Sequence, residues 1–158
     1  MKNKIEQKVK YYDNGQTIKE IMYYKNSLLH REDGPAVIYY YENGQIYYEI
    51  YYKHDKLHRK NGPAVIEYYE TGLIKIEEYY KNDKRHREDG PAVIYYYENG
   101  LIRIEEYFKH DERHRKNGPA VIYYHENGQI YIEEYLLNNK HYNDMFKWSI
   151  DVGCLKGD

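Results

Sequence analysis

A nine-residue block recurs four times along the chain, and its spacing limits the fold more than any other feature. The copies read HREDGPAVI (30–38), HRKNGPAVI (58–66), HREDGPAVI (86–94) and HRKNGPAVI (114–122), each 28 residues after the last. Seven of the nine positions are identical in all four copies. Self-similarity at a fixed period of about 20–50 residues indicates a repeat architecture, in which each unit buries its apolar face against its neighbours.

A second repeated block, rich in Tyr and Glu, fills the space between these copies. It reads YYENGQIYYEIYYKHDK at 40–56, with counterparts at 68–84, 96–112 and 124–140. An earlier copy at 11–27 carries one extra residue after Gly15. Asn-Gly between runs of Tyr, Ile and Val is a strong signal for a β-hairpin, because both residues tolerate positive φ.

The register of this hairpin follows from the turn that we assume. A two-residue turn at Asn43-Gly44 places Tyr40 opposite Tyr47 and Tyr39 opposite Tyr48. The segment 54–63, HDKLHRKNGP, is polar, contains Gly-Pro and lacks alternation, so we predict a loop there.

The pattern predicts an all-β fold, an elongated antiparallel meander of hairpin repeats with about five units. Residues 1–10 would form an N-terminal capping strand, whose Lys8 and Lys10 discourage edge-to-edge pairing. The tandem repeats occupy 11–140. Residues 141–158, where the repeated block is absent and apolar residues concentrate, would form a C-terminal cap with a short helix and a mobile tail.

Composition excludes several classes of protein. The chain has 24 basic and 26 acidic residues, which argues against a nucleic-acid partner, and a single cysteine, which permits no internal disulfide. We find no run of 18 apolar residues and no leader pattern, so we expect a cytoplasmic protein, in a bacterial cell or in a virus-infected host cell. The 24 Tyr favour strands with half-exposed surfaces.

The sequence also predicts that the protein is not an enzyme and has no catalytic residue. The two serines and Cys154 lie in no nucleophile motif. The repeated carboxylates would all share one environment, whereas acid–base catalysis needs two different ones; they are Glu49, Glu77, Glu105 and Glu133.

The recurring histidines invite a metal hypothesis, which geometry disfavours. They lie one unit apart, roughly 9–10 Å at two strands per unit. Zinc holds each ligand nitrogen at about 2.1 Å. We therefore expect no metal site and no cofactor.

Two rows of side chains are the candidates for binding a partner. The first row is the HR dipeptide, of which we single out Arg31, Arg59, Arg87, Arg115, His58 and His86. Its arginines either tie their own loops to carbonyls and acids or meet carboxylates and phosphates on a partner. The second row is aromatic and has the composition of an interface, although cross-strand pairing alone would also explain it; it contains Tyr40, Tyr68, Tyr96 and Tyr124.

The loops that follow each HR dipeptide alternate in charge. The acidic loops are 30–34 and 86–90, with sequence HREDG, and the basic loops are 58–62 and 114–118, with sequence HRKNG. The alternation predicts that neighbouring loops attract one another, so that Glu32 pairs with Lys60.

The pattern YYENGQI followed by EEYYKNDK resembles the MORN-like repeats of the YwqK antitoxin type, related arrays of which occur in bacteria and large DNA viruses. The resemblance covers roughly residues 5–142. This chain departs from it in a longer unit and in the HRxxGPA insert. The resemblance implies a hairpin-built sheet that binds other proteins, with lipid-headgroup binding in some MORN proteins.

We therefore expect a non-enzymatic module that binds another protein, as an antitoxin or an adaptor. A membrane-surface module for anionic headgroups is the alternative, which the neutral net charge weakens. A carbohydrate binder is a third class. The C-terminal cap could also mediate self-association.

Overall fold

The structure, a computed structural model, describes residues 4–143 and 147–148, and all 18 of its elements are β-strands. In chain order these are β1 Ile5–Tyr11, β2 Ile18–Lys25, β3 Leu28–Leu29, β4 Val37–Tyr40, β5 Ile46–Ile50, β6 Tyr52–Lys53, β7 Lys56–Leu57, β8 Val65–Tyr68, β9 Ile74–Glu78, β10 Tyr80–Lys81, β11 Lys84–Arg85, β12 Val93–Tyr96, β13 Ile102–Glu106, β14 Phe108–Lys109, β15 Glu112–Arg113, β16 Val121–Tyr124, β17 Ile130–Leu137 and β18 Lys140–Tyr142.

The chain divides into two compact units, Met1–Lys84 and Arg85–Asp158. The first unit contains a sheet in the order β1-β2-β4-β5-β8-β9, with β3 also on β2, and the second a sheet in the order β12-β13-β16-β17-β18. The sheet neighbours pair antiparallel, as between β4 and β5 and between β16 and β17. The predicted all-β meander of hairpin repeats is confirmed.

The turn of each large hairpin, the hairpin formed by β4 and β5 and its counterparts, is longer than predicted. Tyr41 N–H donates to Gln45 O at 2.8 Å, and Gly44 N–H donates to Tyr41 O at 3.0 Å. The loop therefore has three residues, Glu42 to Gly44. Gly44 has φ +85°, the left-handed conformation that this turn requires at its last position.

A β-bulge follows this turn, and it corrects the predicted pairing of the aromatic row. Tyr39 pairs with Tyr48, as expected, but Tyr40 pairs with Ile46. Tyr47 is the extra residue between the two pairs and is not opposite Tyr40. The same shift occurs between β16 and β17. A bulge compensates for the extra turn residue and keeps the rest of the register as predicted.

The predicted loop 54–63 is partly wrong, because its first half closes a small hairpin of β6 and β7. His54 and Asp55 form the two-residue turn with φ +53° and +59°, and two consecutive left-handed residues define a type I′ turn. Equivalent positive-φ pairs recur once per repeat, at 26–27, 82–83, 110–111 and 138–139. Asn, Asp and His are the non-glycine residues that most often adopt this conformation.

The core lies where each large hairpin starts. Ala64 and Ala120 are 0% exposed, and Val121 is also 0% exposed. Ala64 N–H donates to Glu78 O at 2.7 Å, while its carbonyl accepts from Tyr51 N–H at 2.7 Å. The backbone of Ala64 is therefore hydrogen-bonded to neighbours on both sides, and its methyl group is fully buried.

The C-terminal cap is described only in part. Trp148 is buried, and its ring lies 5.1 Å from that of Tyr135 in an edge-on contact. The short helix and the tail predicted after residue 143 fall mainly on 144–146 and 149–158, which lie outside the described residues.

Candidate interaction surface

Each HR arginine folds back over its own loop. Arg59 lies with its guanidinium carbon 3.8 Å from the centre of the Tyr51 ring, and its Nη1 donates to Pro63 O at 3.1 Å. Arg115 does the same with Tyr107 at 3.8 Å and Pro119 O at 3.1 Å. The stack and the hydrogen bond fix the guanidinium plane, so these arginines have a structural role.

In the acidic loops the arginine also has a carboxylate partner. Arg31 Nε donates to Asp33 Oδ1 at 2.8 Å, and Arg87 Nε donates to Asp89 Oδ1 at 3.0 Å. The guanidinium beside it holds the pKa of Asp33 below its ordinary value, first by the hydrogen bond and then by charge, and the same holds for Asp89. The arginine charge of an acidic loop is therefore neutralised within the loop.

In the basic loops this partner is missing, because Asn61 and Asn117 replace the aspartates. Within 4–143, no ion pair involves Arg59 or Arg115. Their Nε and Nη2 groups face no acid, and the next residue, Lys60 or Lys116, is exposed. Each basic loop thus presents two adjacent positive charges.

The two loop classes also differ in backbone. Gly62 and Gly118 in the basic loops have φ +127° and +148°, whereas the φ angles of Gly34 and Gly90 in the acidic loops are outside the positive region. The charge alternation therefore marks two loop conformations.

The predicted attraction between neighbouring loops is wrong for the pair that the first unit allows us to test. Glu32 Oε1 instead lies 3.3 Å from Lys25 Nζ and 3.2 Å from His30 Nε2, both in its own repeat. Among the described residues, Lys60 makes no ion pair with Glu32 or any other acid.

We accordingly expect Lys60→Glu to change the free energy of unfolding by less than about 0.5 kcal/mol, the usual range for an exposed substitution away from special features. Urea unfolding followed by circular dichroism measures it. Glu32→Lys should cost slightly more, since it removes the local contacts to Lys25 and His30. A loss above about 1 kcal/mol for Lys60→Glu would restore the attraction between loops.

The histidines of the predicted row are packed beneath these loops. His86 stacks on His110 with ring centres 4.4 Å apart, and its Nε2 lies 3.4 Å from Glu88 Oε1. The Nδ1 atoms of His58 and His86 are buried, with no hydrogen-bond partner in the described part of the chain. Such positions suit loop packing and do not suit direct contact with a partner.

The aromatic row is half-buried and bonded to the neighbouring repeat. Tyr68 donates its hydroxyl to Glu49 at 2.9 Å, and Tyr124 donates to Glu105 at 2.9 Å. Burial first, and then this hydrogen bond, raise the pKa of both hydroxyls above the ordinary value. Tyr40 and Tyr96 occupy the same position and are also half-buried. The row therefore stabilises the array, and its role in binding stays a prediction.

Two contacts between successive repeats were not predicted. Tyr41 and Tyr97 donate their hydroxyls to the carbonyls of Tyr68 and Tyr124, at 2.8 and 2.7 Å. No local pattern singles out this tyrosine, because it stands in a run of three.

The second contact joins small hairpins. Asp55 N–H donates to Leu29 O at 3.0 Å, while Leu29 N–H donates to Asp55 Oδ1 at 2.6 Å. We call this pair of bonds the cross-repeat lock. It recurs between Asp83 and Leu57 in the first unit, and in the second unit it joins Asp111 to Arg85 and Asn139 to Arg113.

Besides Glu20, which is 8% exposed and lies 2.9 Å from Lys10 Nζ, two carboxylates are buried in ion pairs that sequence reasoning also missed. Glu67 is 4% exposed and accepts from Tyr48 Oη and Lys75 Nζ, each at 2.6 Å. Glu106 is 5% exposed and accepts from Arg113 Nη2 at 2.6 Å. Both carboxylates are compensated, as buried charges must be.

Among residues 4–143 and 147–148, no group of three or more His, Cys, Asp or Glu side chains is arranged to hold a metal ion. The same residues contain no helix long and apolar enough to cross a membrane.

Among known protein families, the model of one family matches segments of this chain. The profile of the MORN repeat variant matches residues 36–54, 64–82 and 120–138. Each matched segment begins at the buried alanine and covers a large hairpin and the first half of the small hairpin after it. Neither the curated proteins nor the solved structures give a significant match. The three matched segments are thus similar to MORN repeats, a family of repeat modules that take part in protein or membrane interactions.

Proposed function

We propose that this protein is a non-enzymatic binding module, an adaptor or antitoxin-like protein, whose basic loops recognise carboxylates on an acidic partner protein. The observation that carries the proposal is the difference between the two loop classes. Arg31 and Arg87 are already paired with an aspartate, whereas Arg59 and Arg115 have none and lie beside an exposed lysine.

The geometry suits carboxylate recognition. A guanidinium that is stacked on a ring and bonded to a carbonyl has little side-chain entropy left to lose when it binds. Its remaining N–H groups lie in one plane, the arrangement that meets a carboxylate with two parallel hydrogen bonds. Each of the two compact units contains one basic loop with this arrangement.

An anionic membrane would contact the same loops, but two observations favour a protein. The net charge is −2, and each compact unit carries an acidic loop with an exposed glutamate, Glu32 or Glu88, as well as its basic loop. A flat anionic surface would meet both loop classes and be repelled by one of them, whereas a protein partner can place its acids only at the basic loops.

The test compares variants that alter charge without removing the arginine. Asn61→Asp with Asn117→Asp gives each basic loop the aspartate of an acidic loop, and we expect partner capture from the native cell lysate to fall by about tenfold. The reverse pair, Asp33→Asn with Asp89→Asn, frees two further guanidinium groups and should strengthen capture. Charged hydrogen bonds of about 1.5–3 kcal/mol support changes of this size.

Matched arginine deletions and vesicles complete the experiment. Arg59→Ala with Arg115→Ala and Arg31→Ala with Arg87→Ala each remove two hydrogen bonds from an arginine to a proline carbonyl. The second pair also removes two exposed ion pairs, which contribute little to stability, so the folding cost is similar. Only the first pair should lose the partner. Equal loss with both pairs would refute recognition by the basic loops, and binding to phosphatidylserine vesicles in place of protein would select the membrane alternative.

A further inference from the structure

The first strand, β1, lies at an edge of the sheet in the first unit, and the last long strand, β17, exposes an edge of the sheet in the second unit. In the described part of the chain, β1 pairs only with β2, and residues 130–134 of β17 pair only with β16. Ile130, Tyr131 and Ile132 on β17 are 50%, 48% and 45% exposed. Exposed apolar strand edges are sites for pairing with another chain.

The repeat itself shows which strand normally covers the β17 edge. In the first unit β5 pairs with β8 as Tyr48–Glu67, Glu49–Ile66 and Ile50–Val65. In the second unit β13 pairs with β16 in the same register, as Ile104–Tyr123, Glu105–Ile122 and Glu106–Val121. The corresponding residues of β17 are Ile132, Glu133 and Glu134. Among the described residues, no strand pairs with Ile132, Glu133 and Glu134 on the side away from β16.

Strand β1 is such a first strand. Tyr12 donates its hydroxyl to Tyr40 O at 2.6 Å, as Tyr41 does to Tyr68 O, so Tyr12 and Tyr41 are equivalent. Counting back from that pair, Lys8, Val9, Lys10 and Tyr11 stand where Val65, Ile66, Glu67 and Tyr68 stand in β8. The edge of β1 that faces away from β2 is therefore the edge that, within the array, receives the preceding repeat.

We propose that copies of this chain associate head to tail, with β1 of one molecule pairing antiparallel with β17 of another. The template register sets Lys8 opposite Glu134, Val9 opposite Glu133 and Lys10 opposite Ile132. This association goes beyond the proposed function and does not depend on it.

Charge and aromatic contacts agree with this register. Lys8 is exposed, with its Nζ no closer than 3.8 Å to Glu6, so it can meet the carboxylate of Glu134. Tyr11 is 53% exposed and stands where Tyr68 donates to Glu49 within the array. In the assembled pair its hydroxyl reaches Glu133 of the other molecule. A symmetric pair of β17 strands centred on Glu133 would instead set two carboxylates opposite one another, which is unfavourable.

The small hairpins at the junction would add a second contact between the two molecules. Ser27 occupies the position of Asp55 in the cross-repeat lock, with φ +65°, and His141 occupies the position of Leu29. Each junction uses β1 of one molecule and β17 of the other, so the association is heterologous and its size grows with concentration.

Sedimentation velocity over about a hundred-fold range of protein concentration tests the proposal. The wild type should sediment faster as concentration rises. Lys8→Glu sets two acids opposite one another, Glu134→Lys sets two lysines opposite one another, and each should weaken association by about 2- to 30-fold, from a lost attraction and a new repulsion. Lys4→Glu makes the same change of charge outside the register and should leave association unaltered.

A mixture supplies the decisive control. When the two variants are mixed, every alternating junction again pairs a lysine with a glutamate, so association should return to the wild-type level, as it should in the double variant. A wild type that stays monomeric at all concentrations overturns the proposal. So does association that the single variants leave unchanged, or that the mixture fails to restore.

Discussion

Replacing Arg113 by Leu is expected to lower the free energy of unfolding by about 2–4 kcal/mol. The change leaves the Glu106 carboxylate, whose side chain is 7% exposed, without the Nε and Nη2 donors that lie 3.1 and 2.6 Å from its Oε1. Removing one partner of a buried ion pair costs about 3–5 kcal/mol when both groups are buried. Arg113 is 43% exposed, so water relieves part of that cost.

The repeat provides the matched control for this substitution. The residues 56 positions earlier are Ile50 and Leu57, an apolar pair at the same two places. We expect the double variant Glu106→Ile, Arg113→Leu to unfold within about 1 kcal/mol of the wild type, because an apolar pair of similar volume commonly replaces a buried ion pair without loss. Urea unfolding of the single and double variants measures both values. A double variant as unstable as Arg113→Leu would show that the ion pair is not the cause.

The hairpin meander could be predicted because its signals are local and are repeated. The Asn-Gly dipeptide and the flanking alternation recur in nearly every unit, so independent copies support one another. The register was right at Tyr39 and Tyr48 and wrong at Tyr40, since a three-residue loop followed by a bulge gives the same pairing beyond the bulge as a two-residue turn. The small hairpins were missed because their turns contain no glycine and their strands have only two residues each.

The candidate site was harder to predict, because its chemistry depends on which donors are already used. Sequence places all four HR arginines in one row. Only the geometry shows that Arg31 is paired with Asp33 while Arg59 has no acid, although the change from Asp to Asn two residues after each arginine was visible in the sequence. The hydrogen bond from Tyr68 to Glu49 joins two neighbouring strands. The distance between side chains on different strands cannot be read from the order of residues along the chain.

Breaking the cross-repeat lock is expected to cause a second large loss of stability. Asp55→Ala should lower the free energy of unfolding by about 1.5–3 kcal/mol, for two separable reasons. The variant loses the acceptor for Leu29 N–H, a charged hydrogen bond of 2.6 Å. It also places alanine, which has a Cβ and no local hydrogen-bonding group, at φ +59°, a conformation that Gly, Asn and Asp adopt more readily than Ala.

Two further substitutions at the same position separate these reasons. Asp55→Asn keeps both the acceptor and the backbone preference, and the chain already uses Asn139 in this way, with its Oδ1 2.8 Å from Arg113 N. We therefore expect a loss below about 1 kcal/mol for Asn, the largest loss for Ala, and an intermediate loss for Asp55→Gly, which relieves the backbone but supplies no acceptor. Hydrogen exchange of the Leu29 amide gives a local readout, since its protection should fall with Gly and Ala and persist with Asn. If Gly were as stable as Asp, the turn conformation alone would matter, and the bond from Leu29 to Asp55 would contribute nothing to the packing of one repeat on the next.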